Sequence, residues 1–533
     1  MIFRSPFPEV RVPEVALTPF VLRRADELRD KPALIDGSTG REWTYGQVKE
    51  AIYRAAAGLA SRGFRKGDVF AIYCHNAPEY AIAFHAAVLL GGVVTTINPL
   101  YTAGELRIQL RDSGATYLLT ADGALDRALE AAHDSNIREI FAFERAPGVT
   151  PFQQLLHSGG TVPEVVINPR EDLAALPYSS GTTGLPKGVM LTHYNLVANL
   201  LQIEGTAHNR PDDTLICALP FFHIYGMVVI LNLGLYQGAT IITMPRFDLE
   251  HMLKLMQDYR VTFAHLVPPI MLALAKQPVV DHYDLSSLRT IFCAAAPLSR
   301  DLLTACASRL GCFVKQGYGM TEASPATHMC ADEPERVKTG SVGVPVPNSE
   351  SKVVDPESGK ILGPNQEGEI CIRGPQIMLG YLNNQEATAH AIDPEGWLHT
   401  GDIGFADEEG HFYIVDRLKE LIKYKGFQIA PAELEAVLLT HPGVGDAAVI
   451  AVQDDEAGEV PKAFVVLKTK TTPEEISAYV AAHVAPYKKL RQVEIVDQIP
   501  KSPSGKILRR VLIDREKGRD STTKAQRHKG KDE

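Results

Sequence analysis

The chain reads as an α/β protein: a large N-terminal domain of parallel-sheet subdomains with a small antiparallel β subdomain, followed by a small α+β C-terminal domain. Three observations predict this. From about 45 to 145, helical periods such as YGQVKEAIYRAAAGLASR alternate with the short β-rich runs DVFAIYC, GVVTTI, ATYLLT and EIFAF, the pattern of strands joined by crossover helices. From Ser341 to Asp416 glycine and proline are dense and the strands short (SKVVD, GEICIRG, HFYIVD), which suits an antiparallel, loop-rich unit. After Asp416 the order changes to a basic loop, helix PAELEAVLLTH, strands AAVIAVQ and KAFVVLK, helix PEEISAYVAAHV and strand VEIVD.

Each element has its signal. In the middle of the chain a helix is expected over 193–205, then strand TLICALP, a helix after His223, strand ATIITM, a helix over 249–260 and strand VTFAHLV. Near the C-terminus Thr472-Pro473-Glu474-Glu475 is a helix start, with Thr472 as cap and Glu475 completing a capping box. The expected domains are 1–416, 417–514 and a charged, disordered tail over 515–533.

Composition bounds the function. At 533 residues the chain exceeds one hydrophobic core, which stops growing at about 250–300 residues. A net charge of −10 argues against general attraction to nucleic acid or acidic membranes. The seven cysteines are scattered, without the close pairs a zinc site needs. The opening MIFRSPFPEVRVPEV carries charges and prolines where a signal peptide needs an apolar core, and the longest apolar run, Ala81 to Val94, is too short for a bilayer span. A cytoplasmic protein without an integral membrane segment, monomer or homodimer, is expected.

Residues 179–188, SSGTTGLPKG, follow the apolar run DLAALPY. Glycines let backbone N–H groups approach an anion, Ser179, Ser180, Thr182 and Thr183 add hydroxyl donors, and Lys187 adds a mobile charge. The spacing is not that of a Walker A loop, because the stretch has no Gly-Lys pair followed by Ser or Thr. A phosphate grip of another design is predicted.

This loop resembles the signature of the adenylate-forming superfamily of acyl-CoA synthetases, luciferases and adenylation domains. QGYGMTE (316–322), GYL (380–382), GWLHTGD (396–402), DRLKELIKYKGFQIAPAELE (416–435) and PKSPSGKILRR (500–510) resemble its further motifs in the same order. The resemblance implies an ATP-dependent ligase that makes an acyl-adenylate and diphosphate, then passes the acyl group to coenzyme A. It implies nucleotide contacts from Ser179, Ser180, Gly181, Thr182, Thr183, Gly184 and Lys187, and from Gln316, Gly317, Tyr318, Gly319 and Thr321, with Tyr318 against adenine. By the same resemblance Asp402 and Arg417 are expected to reach the ribose, and Glu322 with Thr183 to hold Mg²⁺. Lys506 resembles the family lysine that bridges carboxylate and α-phosphate, a charge that suits a reaction joining two anions. The resemblance further implies that the C-terminal domain is mobile and turns about Asp416–Lys419. In the second pose Lys423 and Gln428 contact the adenylate, and Lys425 and Gly426 lie beside the pantetheine path.

The segment LPFFHIYGM (219–227) resembles the family's acyl-pocket wall. His223 is expected between the reacting carboxylate and the thiol route, with Tyr225, Gly226 and Val229 along the acyl group and Ala294, Ala295, Ala296 and Gly317 as the opposite wall. The opening and this segment resemble 4-coumarate:CoA ligases most, so hydroxycinnamates rank first and medium- or long-chain fatty acids second. A carrier-protein acyl ligase, a non-catalytic nucleotide-binding protein and a P-loop ATPase are the rival classes.

Overall fold

The computed structural model describes residues 1–179, 186–206, 210–296, 298–424, 427–454, 457–502 and 505–517. It divides into two compact units, the larger formed by 2–351 and 371–399, the smaller by Met1, 352–370 and the chain from 400 onward.

The larger unit is built on two nine-stranded sheets. In the first, Val69–Tyr73, Val93–Thr96, Ala115–Thr120, Glu139–Ala142 and Leu173–Ala175 run parallel. Their faces carry helices such as Tyr45–Ser61 and Pro78–Leu89. Nearly every residue of Pro78–Leu89 is buried, as a helix apolar all round must be. An antiparallel strand, Lys187–Thr192, pairs with Leu173–Ala175 on one side and with Gly380–Tyr381 on the other. Lys187, expected in the loop, opens this strand and pairs with Ser179. Thr192 then caps helix His193–Glu204, with Asn195 completing the capping box.

In the second sheet Pro32–Asp36, Thr240–Thr243, Thr214–Cys217, Phe263–Leu266, Thr290–Cys293 and Phe313–Gly319 are parallel and adjacent in that order. These β-branched runs are buried on both faces, which explains why they read as continuous apolar stretches rather than alternations. The helix expected after His223 is present but unusual. Tyr225–Asn232 is a π-helix that passes into the α-helix Leu233–Gln237 and stops at Gly238, φ +90°. The Asn232 side-chain amide donates to the Met227 carbonyl at 2.7 Å, supporting the widened turn.

In the smaller unit Leu398–Ala406 and Phe412–Arg417 are antiparallel. A five-stranded sheet combines Phe427–Ile429, Ile422–Tyr424, Gly458–Leu467 and Val444–Asp454, with Gln492–Ile495 parallel to Gly458–Leu467. Helices Pro431–Thr440 and Pro473–His483 bury Leu434, Leu438, Ile476 and Val480 against it. Thr472 and Glu475 form the expected capping box. Residues 509–517 are helical; the rest of the tail expected from 515 lies outside the described residues.

Candidate active site

Three segments of the second sheet end at its carboxyl edge, where open α/β sheets bind ligands. FFHIYG leaves after strand Thr214–Cys217, AAA after Thr290–Cys293, and QGYG closes Phe313–Gly319. Two are shaped by a close approach that only glycine allows, and the third by a left-handed backbone. A Cβ on Gly226 would stand 2.2 Å from the Pro220 carbonyl oxygen, and one on Gly317 would stand 2.3 Å from the Phe292 ring. Ala295 has φ +76°, a left-handed conformation that costs a residue with a Cβ about 1 kcal/mol or more. Nothing in the run AAA announces that strain.

The wall around Tyr225 is buried and internally bonded. Tyr225 is 5% exposed and donates its hydroxyl to the Phe292 carbonyl at 3.0 Å, while Gly226 and Val229 are buried in the same π-helix. Asn76 anchors the preceding turn: it accepts from the Phe221 N–H at 2.7 Å and donates to the Leu219 carbonyl at 2.8 Å. His223 is half-buried, and its Nδ1 accepts from the Tyr225 N–H at 3.2 Å. That bond assigns the proton of a neutral imidazole to Nε2. Ala294, Ala295 and Ala296 all retain exposure.

A second cluster assembles around Glu322. Gln316 and Gly317 are buried, Tyr318, Gly319 and Thr321 half-buried. The Tyr318 ring packs 5.8 Å from His328, and Glu322 is in a short 3₁₀ turn. The Tyr381 hydroxyl donates to Glu322 at 2.9 Å, and the Lys187 ammonium lies 4.8 Å from the Tyr381 ring centre. Burial, with Glu322 adding to it, pushes the Tyr381 hydroxyl well up, so it remains a donor. The GYL motif thus supplies a bridge from Lys187 to Glu322 that the sequence reading did not assign. Its signal was present, because GYL was recognised, but strand pairing Val189↔Tyr381 was not predictable from spacing. One Glu322 oxygen is engaged by Tyr381, and a carboxylate is the type of oxygen ligand that a hard cation such as Mg²⁺ takes. Ser179 is half-buried at the end of its strand, whereas Ser180, Gly181, Thr182, Thr183 and Gly184 lie outside the described residues.

The third cluster belongs to the smaller unit. Asp402 and Arg417 are cross-strand partners, Nε to Oδ1 3.4 Å. Lys506 sits at a tight turn: its N–H donates to Ser502 Oγ at 3.1 Å, its carbonyl accepts from the Ser502 N–H at 2.8 Å, and Gly505 takes φ +80°. Burial and the Arg417 guanidinium push the Lys506 ammonium down to about 8, against the opposing pull of Glu420 and Asp402. Arg509, three residues on, donates to Glu420 at 2.7 Å and to both oxygens of Glu435 at 2.7 and 2.8 Å. Asp416 accepts from the backbone N–H groups of Arg417 and Ala432 at 2.7 and 2.8 Å. Lys423 and Gln428 are register partners in the hairpin Ile422–Ile429, and Lys423 is exposed. Lys425 and Gly426 lie outside the described residues.

Comparison with known proteins decides the family. The AMP-binding enzyme model matches residues 21–382, and the AMP-binding enzyme C-terminal domain model matches 433–506. The chain belongs to the AMP-binding, adenylate-forming enzymes. It is 48% identical over 524 residues to 4-coumarate–CoA ligase 1 of Petroselinum crispum, covering 96% of each chain. It is 46% identical over 523 residues to 4-coumarate–CoA ligase 3 of Oryza sativa subsp. japonica, covering 96% of this chain and 94% of that one. Among solved structures it resembles the anthranilate CoA ligase AuaEII in complex with anthranoyl-AMP, with TM-score 0.88 and 27% identity over 96% of this chain and 99% of that one. The o-succinylbenzoate CoA synthetase MenE of Bacillus subtilis, with its acyl-adenylate intermediate, gives TM-score 0.82 and 30% identity over 94% and 98%. Among the described residues no helix is long and apolar enough to cross a membrane.

Proposed function

We propose that the protein is an ATP-dependent carboxylate–CoA ligase acting on hydroxycinnamates. The carboxylate would attack the α-phosphate of ATP to give an acyl-adenylate and diphosphate, and the coenzyme A thiol would then displace AMP. The observation that carries the reaction class is Lys506 held beside Asp402 and Arg417. A ribose-binding pair next to a single ammonium is the arrangement needed to bring a carboxylate onto an α-phosphate. Tyr381 would hold Glu322 for Mg²⁺, which when bound supplies charge neutralisation of the triphosphate. His223, with Nδ1 occupied by the Tyr225 N–H, would keep an N–H at Nε2 for the reacting carboxyl group. Lys423 and Gln428, paired across their hairpin, would serve the thioester step with Lys425 and Gly426. The hydroxycinnamate choice is supported by the near-full-length similarity to 4-coumarate–CoA ligases.

The test is ATP–diphosphate exchange and thioester formation over a panel of cinnamates, benzoates and fatty acids. We expect 4-coumarate to lead; decanoate ahead of every cinnamate would overturn the substrate class. Lys506→Ala should cut exchange about 10²–10³-fold, the scale of one preorganised donor. Thioester formation from preformed acyl-adenylate should be nearly unchanged. Equal losses in both half-reactions would remove Lys506 from the bridging role.

A further inference from the structure

The segment that carries Lys506 folds back on itself as a narrow hairpin. The Leu508 N–H donates to the Pro500 carbonyl at 2.9 Å, Lys501 and Ile507 face one another as an antiparallel bridge, and the Ser502 N–H donates to the Lys506 carbonyl at 2.8 Å. Lys506 is thus the immediate neighbour of the Lys501–Ile507 rung. So short a pairing is marginal by itself in water, and its position is set by what the rung is tied to.

Ile507 packs on the apolar cluster that includes Ala448, Ile450 and Phe464. Lys501 supplies the other tie. Its ammonium donates to both carboxylate oxygens of Asp446, at 2.8 and 2.7 Å, and the two side chains are 24% and 27% exposed. Asp446 is itself held: its Oδ1 accepts the Ala447 N–H at 3.0 Å, and the register of its strand shifts between Val444 and Asp446, the kind of irregularity that re-aims a side chain. The charges that act most on the Lys506 ammonium are Arg417, Glu420, Asp402 and Arg509; Lys501 reaches it through the hairpin backbone instead. Bridging two anions depends on placement, and a displacement of about 1 Å in such a group can cost about 10²-fold in rate.

We propose that Lys501 and Asp446 are positioning residues for adenylation: their ion pair pins the hairpin that presents Lys506. This rests on the bridging role proposed above for Lys506.

Half-reaction kinetics test it. Lys501→Met should lower kcat for ATP–diphosphate exchange about tenfold, with KM for ATP and for the acid unchanged, because Lys501 touches neither. Thioester formation from preformed acyl-adenylate should be kept, which also shows that the variant is folded. Asp446→Asn, nearly isosteric, should give the same loss, and the double variant should lose about tenfold rather than about a hundredfold, since both changes remove one interaction. Lys501→Arg, which can still meet both oxygens, should stay within about twofold of wild type. Exchange within about twofold of wild type in both Lys501→Met and Asp446→Asn overturns the proposal. Equal losses in both half-reactions, the mark of a purely structural pair, overturn it too, as do losses that multiply in the double variant. Lys506→Ala measured in parallel separates the two readings. If it impairs both half-reactions equally, the bridging role fails and this inference with it; if it stops exchange alone while Lys501→Met has no effect, only the inference fails.

Discussion

The wall around Tyr225 and the turn around Lys506 handle polarity in opposite ways. Around Tyr225 a few neutral groups are buried among aromatic rings, and each contact is fixed by backbone geometry: Gly226 against Pro220, Gly317 against Phe292. Around Lys506 six charged side chains, Asp402, Arg417, Glu420, Glu435, Lys506 and Arg509, influence one another in partly buried surroundings. On the proposed function, shape would select the acid in the first region, and charge would drive the chemistry in the second. The difference predicts that substitutions in the wall change which acid is used, whereas substitutions in the charged cluster change a half-reaction or the stability of the fold.

The largest effect should come from removing the hub of the charged cluster. Arg509 is bonded to two carboxylates whose side chains are 11% and 15% exposed. Arg509→Leu strands both, a loss of about 3–5 kcal/mol in stability, measured by urea unfolding. A loss below about 1 kcal/mol would mean the network is energetically inert. In the wall, Gly226→Ala should cost about 1–3 kcal/mol through overpacking against a carbonyl that cannot move aside. Its KM for the acid should rise while its KM for ATP holds. Equal rises in both would erase the contrast between the regions.

The charged cluster also predicts a pH limb. In the bridging role proposed for Lys506 the ammonium form is required, so ATP–diphosphate exchange at low ATP should fall as pH rises through about 8, and Lys506→Arg should shift that limb upward. Stability responds with the other sign. Between about 8 and the ordinary lysine value of 10.5 the unfolded chain holds this proton and the folded chain does not, so the contribution of this group rises with pH. Activity and melting temperature moving together over that range would contradict the assignment. The smallest effect is at Ala295, where glycine removes a positive-φ penalty. Ala295→Gly should raise stability by up to about 1 kcal/mol, net of the extra freedom of unfolded glycine.

Much of this was legible beforehand because periodicity and caps are local. The alternating runs between 45 and 145, the box at Thr472 and the helix over 193–205 depend on neighbours within a turn or two of chain. Asp402 and Arg417 were legible as motif members, and the strand pairing gives them a shared register. What spacing could not supply was pairing across distance. Lys187 pairs locally with Ser179, but the rest of its strand is held by Leu173–Ala175 and Gly380–Tyr381, partners that spacing along the chain does not reveal. The π-helix was read as an ordinary helix, since Gly226 and Asn232 reveal its widened turn only through contacts.

The order of motifs and the spacing of apolar residues determined by themselves that this is a two-part α/β enzyme with an adenylate-forming signature, because propensity, capping and phosphate-binding chemistry are written in short stretches. Tertiary structure alone decided that Tyr381 bridges Lys187 and Glu322, and that Arg509 ties Glu420 to Glu435. It alone brought Lys501 to Asp446. A hydrogen bond or ion pair is a property of the partners that folding delivers, and those partners lie up to a hundred residues or more away in the chain.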